Sequence, residues 1–281
     1  VKYLCVGFLF FMAALAAACV IGTWHYRRWR LKAGAREIYA SMKRTWGKPL
    51  EIIPVRADGF KHLDLTFYDE QRQQLEELGF RYLIDIELAS LSRENPEQAR
   101  TFVRAMSSTD GNIVAAIFHT IDPPSLTEPE SELVIVRTEA YESPPEKQVG
   151  DSRRIVEFET RFSDGTFLST GLPNPADKLG RPPAIRRVVV EYPVNVAELL
   201  QRHLQEVETY LESRPAVQPV PCLSGDDVIE REHASHALKC EWRQRIGYLT
   251  RPELEKLAEG LEPSIVDAIW EELQRLAKRD Q

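Results

Sequence analysis

Acidic residues are missing from the first 36 positions of this 281-residue chain, and cysteine is scarce throughout, with four in all. So few thiols exclude a small disulfide scaffold. With 43% hydrophobic and 28% charged residues the chain is not disordered by composition. Signature loops are missing as well. There is no P-loop, no G-x-G-x-x-G after a strand, no H-E-x-x-H, no G-x-S-x-G and no C-x-x-C pair. ATP-dependent, dinucleotide, zinc-protease and common serine-hydrolase chemistries therefore lack their usual support, and no cofactor is expected.

The missing acid defines the amino-terminal head. Residues 1–36 carry six Lys or Arg (Lys2, Arg27, Arg28, Arg30, Lys32, Arg36), and the other 245 hold 30 Lys/Arg against 43 Asp/Glu, a balance of −13. A body so acidic excludes nucleic acid as a partner at physiological salt. From Tyr3 to Gly22 the chain runs without a charge, long enough for a helix to cross a hydrocarbon layer of about 30 Å. Trp24, Tyr26 and Trp29 suit the interfacial aromatic belt. The sequence therefore predicts a single-pass anchor with lipid as its partner over residues 1–30, and the positive charge after it places the body in the cytoplasm. Two alternatives use the same residues. Export with cleavage at Ala16-Ala17-Ala18 is opposed by the arginines that follow, and a lipid anchor on Cys19 is opposed by the apolar Val20 and Ile21.

Beyond the head, residues 31–57 read as a juxtamembrane helix and stalk, with Ile38, Met42 and Trp46 at helical spacing beside Ala35 and Tyr39. Residues 58–213 read as an α+β domain. Phe80, Tyr82, Ile84, Ile86 and Leu88 alternate with mostly polar residues as in a half-buried strand, after a short helix closed by Gly79. Asp110-Gly111 and Asp164-Gly165 each mark a hairpin, because Asp-Gly supplies the positive φ angles of tight turns. Further strands are expected at 132–141 and 185–192, about seven in all in an antiparallel sheet. Asn195 caps a long helix whose stripe is Val196, Leu199, Leu200, Leu204, Val207, Tyr210 and Leu211, and that stripe needs the sheet to cover. A Pro-rich linker at 214–225 then leads to an all-helical tail at 226–281, where Thr250 and Glu253 form a capping box and Ile265, Ile269, Leu273 and Leu276 make an apolar face.

Four groups of residues invite a chemical reading. His233, His236 and Cys240 share one side of a helix, and Cys222 would complete a zinc set. The set lacks the close Cys pair of structural zinc sites, so no metal is expected and the histidines read as surface residues. Cys222 and Cys240 are expected as reduced thiols in a cytoplasmic body. His119 shares its strand face with Ile113, Ala115 and Ile117; with Asp122 it would make a general base in a pocket, and without one it is a core histidine. His203 lies at the edge of the long helix's stripe and reads the same way.

The series LEELGFRYLIDIEL, RAMSSTDGNIVAAIFHT, VEFETRFSDGTFLSTG and LLQRHLQEVETYL resembles a loose group of uncharacterised bacterial proteins that set a similar α+β module beside a membrane helix. The resemblance covers about residues 60–260 and implies no activity. The expectation is then an anchored domain that binds a small molecule or protein partner without catalysis. An enzyme acting on an apolar or lipid-derived substrate, and a structural part of an envelope complex, are the alternatives.

Overall fold

The computed structural model describes Tyr26 and residues 29–90, 100–121, 152–191 and 194–280. Among these residues the protein is α+β, with six helices and a seven-stranded sheet. Helix α1 covers residues 29–46. It is followed by β1 (Ile52–Pro54), α2 (Leu65–Glu77), β2 (Phe80–Leu88), β3 (Val103–Ser108), β4 (Val114–Ile121), β5 (Ser152–Arg161), β6 (Phe167–Gly171) and β7 (Ile185–Val189). Helices α3 (Val196–Glu212), α4 (Gly225–Arg245), α5 (Arg251–Leu257) and α6 (Pro263–Asp280) complete the chain. Two compact units result, one of Pro49–Lys239 and one of the residues up to Lys48 joined by those from Cys240 onward. The division falls inside α4, and α1 shares a unit with the end of the tail.

Strands follow one another in space as in sequence, antiparallel from β1 to β6. The expectation of a wholly antiparallel sheet fails at its last strand, because β7 pairs parallel with β6. Residues 172–184 carry the chain back to the end where β6 began, as a parallel neighbour requires. The count of seven also rests on a different set. β1 lies in the stretch that reads as stalk, while the strand expected at 132–141 lies outside the described residues, as do Tyr3–Gly22, Trp24, Arg27, Arg28 and Asp122. Among the described residues no helix is long and apolar enough to cross a membrane.

Three helices pack on the sheet, α2 and α3 on one face and the first half of α4 on the other. Under α2 and α3, Phe67, Tyr68 and Leu75 meet Phe102, Met106, Ala115, Ile117, Val156 and Phe158. Asp64 caps α2 by accepting from Phe67 N–H at 3.2 Å, and Gly79 ends it at φ +86°. On α3 the capping box of Asn195 and Glu198 is present. Its buried line is Val196, Leu199, His203 and Tyr210, so the helix is turned from the expected stripe and leaves Leu204 exposed.

On the opposite face Ile86, Ala105 and Val114 pack with Cys222 and Val228. Phe80 and Ile86 have the same parity in β2 yet join opposite clusters. The register shift between Tyr82 and Ile84 explains this, since one extra residue turns every later side chain over. Asp85 and Glu87, which the alternation puts in water, are therefore buried and paired with Arg104 and Arg100.

The Pro-rich stretch is no loose linker. It crosses the tips of both hairpins: Ser163 N–H donates to Gln218 O and Val220 N–H to Arg161 O, each at 2.8 Å, and Cys222 N–H donates to Gly111 O at 2.9 Å. Gly111 seats this strap. Its φ is +78°, and a Cβ there would meet Leu223 Cδ2 at 2.6 Å.

In the helical unit, Arg36 on α1 pairs with Glu272 on α6 at 3.2 Å, and Tyr39 and Lys43 both donate to Asp280. Arg275 and then Arg36 hold the Glu272 carboxyl down at about 2 against its burial. Thr250 and Glu253 cap α5, and Glu253 also pairs with the buried Arg243 at 2.8 Å. The buried face of α6 is Val266, Ile269, Leu273 and Ala277, shifted by one residue from Ile265 and Leu276.

Candidate functional site

The Asp64 carboxylate that caps α2 also pairs with Arg154 of β5 at 2.5 Å. Arg154 in turn stands at the rim of an open groove of about 270 Å³ between α2 and the first turn of α3. Phe67, Val156, Leu172, Val194, Val196 and Leu199 form its apolar wall, and Glu70, Gln71, Arg154 and Asn195 its polar edge. An apolar floor with few polar groups at the mouth is the usual build of a small-molecule site.

His119 does not line this groove. It pairs in register with Arg154 but its ring lies against Phe67 and Tyr68, with centroids at 5.2 and 5.1 Å, and only 2% of the residue is exposed. Burial pushes its pKa down, Asp64 pushes it up, and Arg154 adds to the lowering. Among the described residues neither ring nitrogen has a partner. A general base needs its proton acceptor within reach of a substrate, and the packing of Phe67 and Tyr68 works against that reading.

No family model, no curated protein and no solved structure matches the chain.

His203 stands at the centre of α3's buried face, not at its edge. Nε2 meets Thr160 Oγ1 and Nδ1 meets Thr170 Oγ1, both at 3.0 Å. A neutral imidazole offers one donor and one acceptor, and two hydroxyls satisfy both. Burial, helped by Arg231, drives its pKa down to about 3. It is a structural bolt from α3 to β5 and β6.

The candidate zinc set is dispersed. Cys222 precedes α4 and is buried, its thiol pushed up to about 11 by that burial, while its carbonyl accepts from Ser107 Oγ at 2.6 Å. His233 is exposed, whereas His236 is buried rather than a surface residue. Cys240 belongs to the helical unit, where its thiol lies 3.9 Å from Lys48 O. Among the described residues no three His, Cys, Asp or Glu side chains form a group that would hold a metal. Among the described residues Cys222 and Cys240 are in no disulfide.

Buried charge is what residue patterns miss. Arg104 donates to both oxygens of Asp85, at 3.0 and 3.1 Å, and to Asp69. On the face under α4, Arg187 pairs with Glu157 at 2.6 Å and Asp177 at 2.7 Å, and Arg231 with Glu159 at 2.8 Å. Glu232 sits beside this set. Loss of water, then the charges of Glu159 and Glu157, raise its carboxyl to about 7, against Lys239 and Arg231. Glu157 and Glu159 alternate with apolar residues as on a solvated strand face, so only the covering helix reveals them as partly buried partners of interior arginines.

Proposed function

We propose that this protein is a membrane-anchored binding protein, held by residues 1–30, whose α+β unit takes up a small amphipathic molecule without catalysis and faces the cytoplasm. The groove between α2 and α3 carries the reading. Its apolar wall favours a short hydrocarbon part, and Arg154, Gln71, Glu70 and Asn195 at the rim supply both donors and acceptors for a polar head. Anchoring supports the same picture, since amphipathic molecules concentrate at a bilayer. Saturation-transfer NMR on the full chain in nanodiscs, with hexanol and hexanamide as probes, tests it. Transfer to the alkyl protons that vanishes in Val194→Trp, which fills the groove, is the expected result, and equal transfer in both proteins rejects the site. Carboxyl-terminal fusions to a cytoplasm-active and a periplasm-active reporter test the orientation, and activity of the periplasmic reporter alone would overturn it.

A further inference from the structure

Among the described residues the helical unit exposes four large apolar side chains, Tyr26 (52%), Trp29 (62%), Leu257 (43%) and Leu261 (50%). Their places on the bundle follow from its ion pairs. Arg36 meets Glu272 while Tyr39 and Lys43 meet Asp280, so α1 and α6 run parallel. At 1.5 Å per residue, Pro263 lies about 13 Å back from Glu272 and Trp29 about 10 Å back from Arg36. The start of α6 and the start of α1 are thus level. Arg251 on α5 pairs with Asp267 at 2.6 Å, which holds α5 against the first turns of α6 and puts the corner between them, Ala258–Glu262, at that same end.

All four exposed apolar residues therefore crowd one end of the unit. It is the end at which the chain arrives from the uncharged run Tyr3–Gly22. Tyr26 and Trp29 stack there with centroids 6.3 Å apart, and Arg30 lies 5.7 Å from the Tyr26 ring, an amphipathic grouping that suits the headgroup level of a bilayer. At the corner, Leu261, Pro263 and Val266 wall a recess of about 250 Å³. Exposed apolar surface gathered on one end of a small unit marks a contact surface.

We propose that this end is a bilayer seat, in which Leu257 and Leu261 of the α5–α6 corner enter the headgroup region beside the anchor and hold the helical unit on the membrane. The seat rests on the anchor reading of residues 3–22. Its lipid is zwitterionic, because Glu255, Glu259 and Glu262 at the corner stand against Arg30 and Lys32 at the start of α1, a mixed set of charges that does not select an anionic surface.

The test is photo-crosslinking of the full chain in phosphatidylcholine nanodiscs that contain a phosphatidylcholine with a diazirine high on its acyl chain, read by mass spectrometry. Adducts are expected within residues 3–22 and at 256–264. The double substitution Leu257→Glu with Leu261→Glu, at exposed positions that leave the fold intact, should cut the 256–264 adducts at least fivefold and leave those in 3–22 unchanged. Adducts in 3–22 with none at 256–264 overturn the seat and leave the anchor standing. Adducts at 256–264 with none in 3–22 support the corner's lipid contact and overturn the anchor. Adducts at neither place overturn both, and corner adducts that persist in the double variant refute the two leucines as its basis.

Discussion

His203 gives the sharpest quantitative expectation, because a neutral, doubly hydrogen-bonded imidazole at the centre of a core ties stability to pH with a known sign. Its pKa is about 3 in the folded protein and near 6.5 when unfolded, so only the unfolded chain binds the proton between those values. The stability it supports is complete above pH 6.5 and is lost as pH falls toward 3. A gap of 3.5 units corresponds to about 5 kcal/mol at the acid end, and to about 2 kcal/mol by pH 5. The perturbation is His203→Gln, which keeps an amide to meet Thr160 and Thr170 and cannot titrate. Urea unfolding of both proteins across pH 4 to 8 isolates the residue, since the other titrating groups are common to the two. The difference in unfolding free energy should shrink by about 1.4 kcal/mol per pH unit from pH 6 to 4. Parallel pH curves, or a His203 ring that titrates near 6.5 by NMR in the folded chain, would refute the reasoning.

Other buried features give separate tests. Arg104→Met strands the Asp85 carboxylate in the core and should cost about 3–5 kcal/mol in urea unfolding, most of it regained by adding Asp85→Leu. Gly165→Ala meets only backbone strain at φ +83° and should cost about 1–2 kcal/mol, while Gly111→Ala should cost more because the strap lies against it; equal losses would remove the strap's role. Cys222 should resist alkylation at pH 8 until the protein unfolds, and Cys240 should react first, as peptide mapping would show. His119→Leu removes two unpartnered ring nitrogens from an aromatic core and should leave stability unchanged or raise it by about 1 kcal/mol; a loss above 2 kcal/mol would mean those nitrogens are satisfied in solution.

Legibility varied with the range of the interaction that decided each feature. Both Asp-Gly hairpins, Gly79 as a helix stop and the caps at Asn195 and Thr250 are settled within a few residues, and all appear where the residues put them. Faces were harder. The bulge between Tyr82 and Ile84 leaves no mark in an alternation that looks regular, yet it sends Ile86 and Asp85 to the faces opposite those expected. Leu204 outranks His203 on any hydrophobic scale, but Thr160 and Thr170 satisfy the imidazole and bring it inside. The groove is not legible in the sequence because its wall draws on α2, β5, α3 and the segments next to β6 and α3, whose residues look like ordinary core taken singly.

What the sequence determined by itself is local or compositional: an acid-free head whose uncharged run is flanked by basic residues, an acidic body, hairpins at two Asp-Gly turns and helices between recognisable caps. Each depends on backbone conformation or charge that neighbours in the chain supply. Tertiary structure alone decided the parallel seat of β7, the clamping of the Pro-rich strap and the pairing of α1 with α6. It also decided that Arg104, Arg187 and Arg231 are interior cations. The reason is common to all of them. Whether a polar side chain is solvated or paired depends on what covers it, and here the cover comes from residues distant in sequence, from α2 to Arg104 thirty-five residues later and from β5 to Arg231 seventy-two residues later.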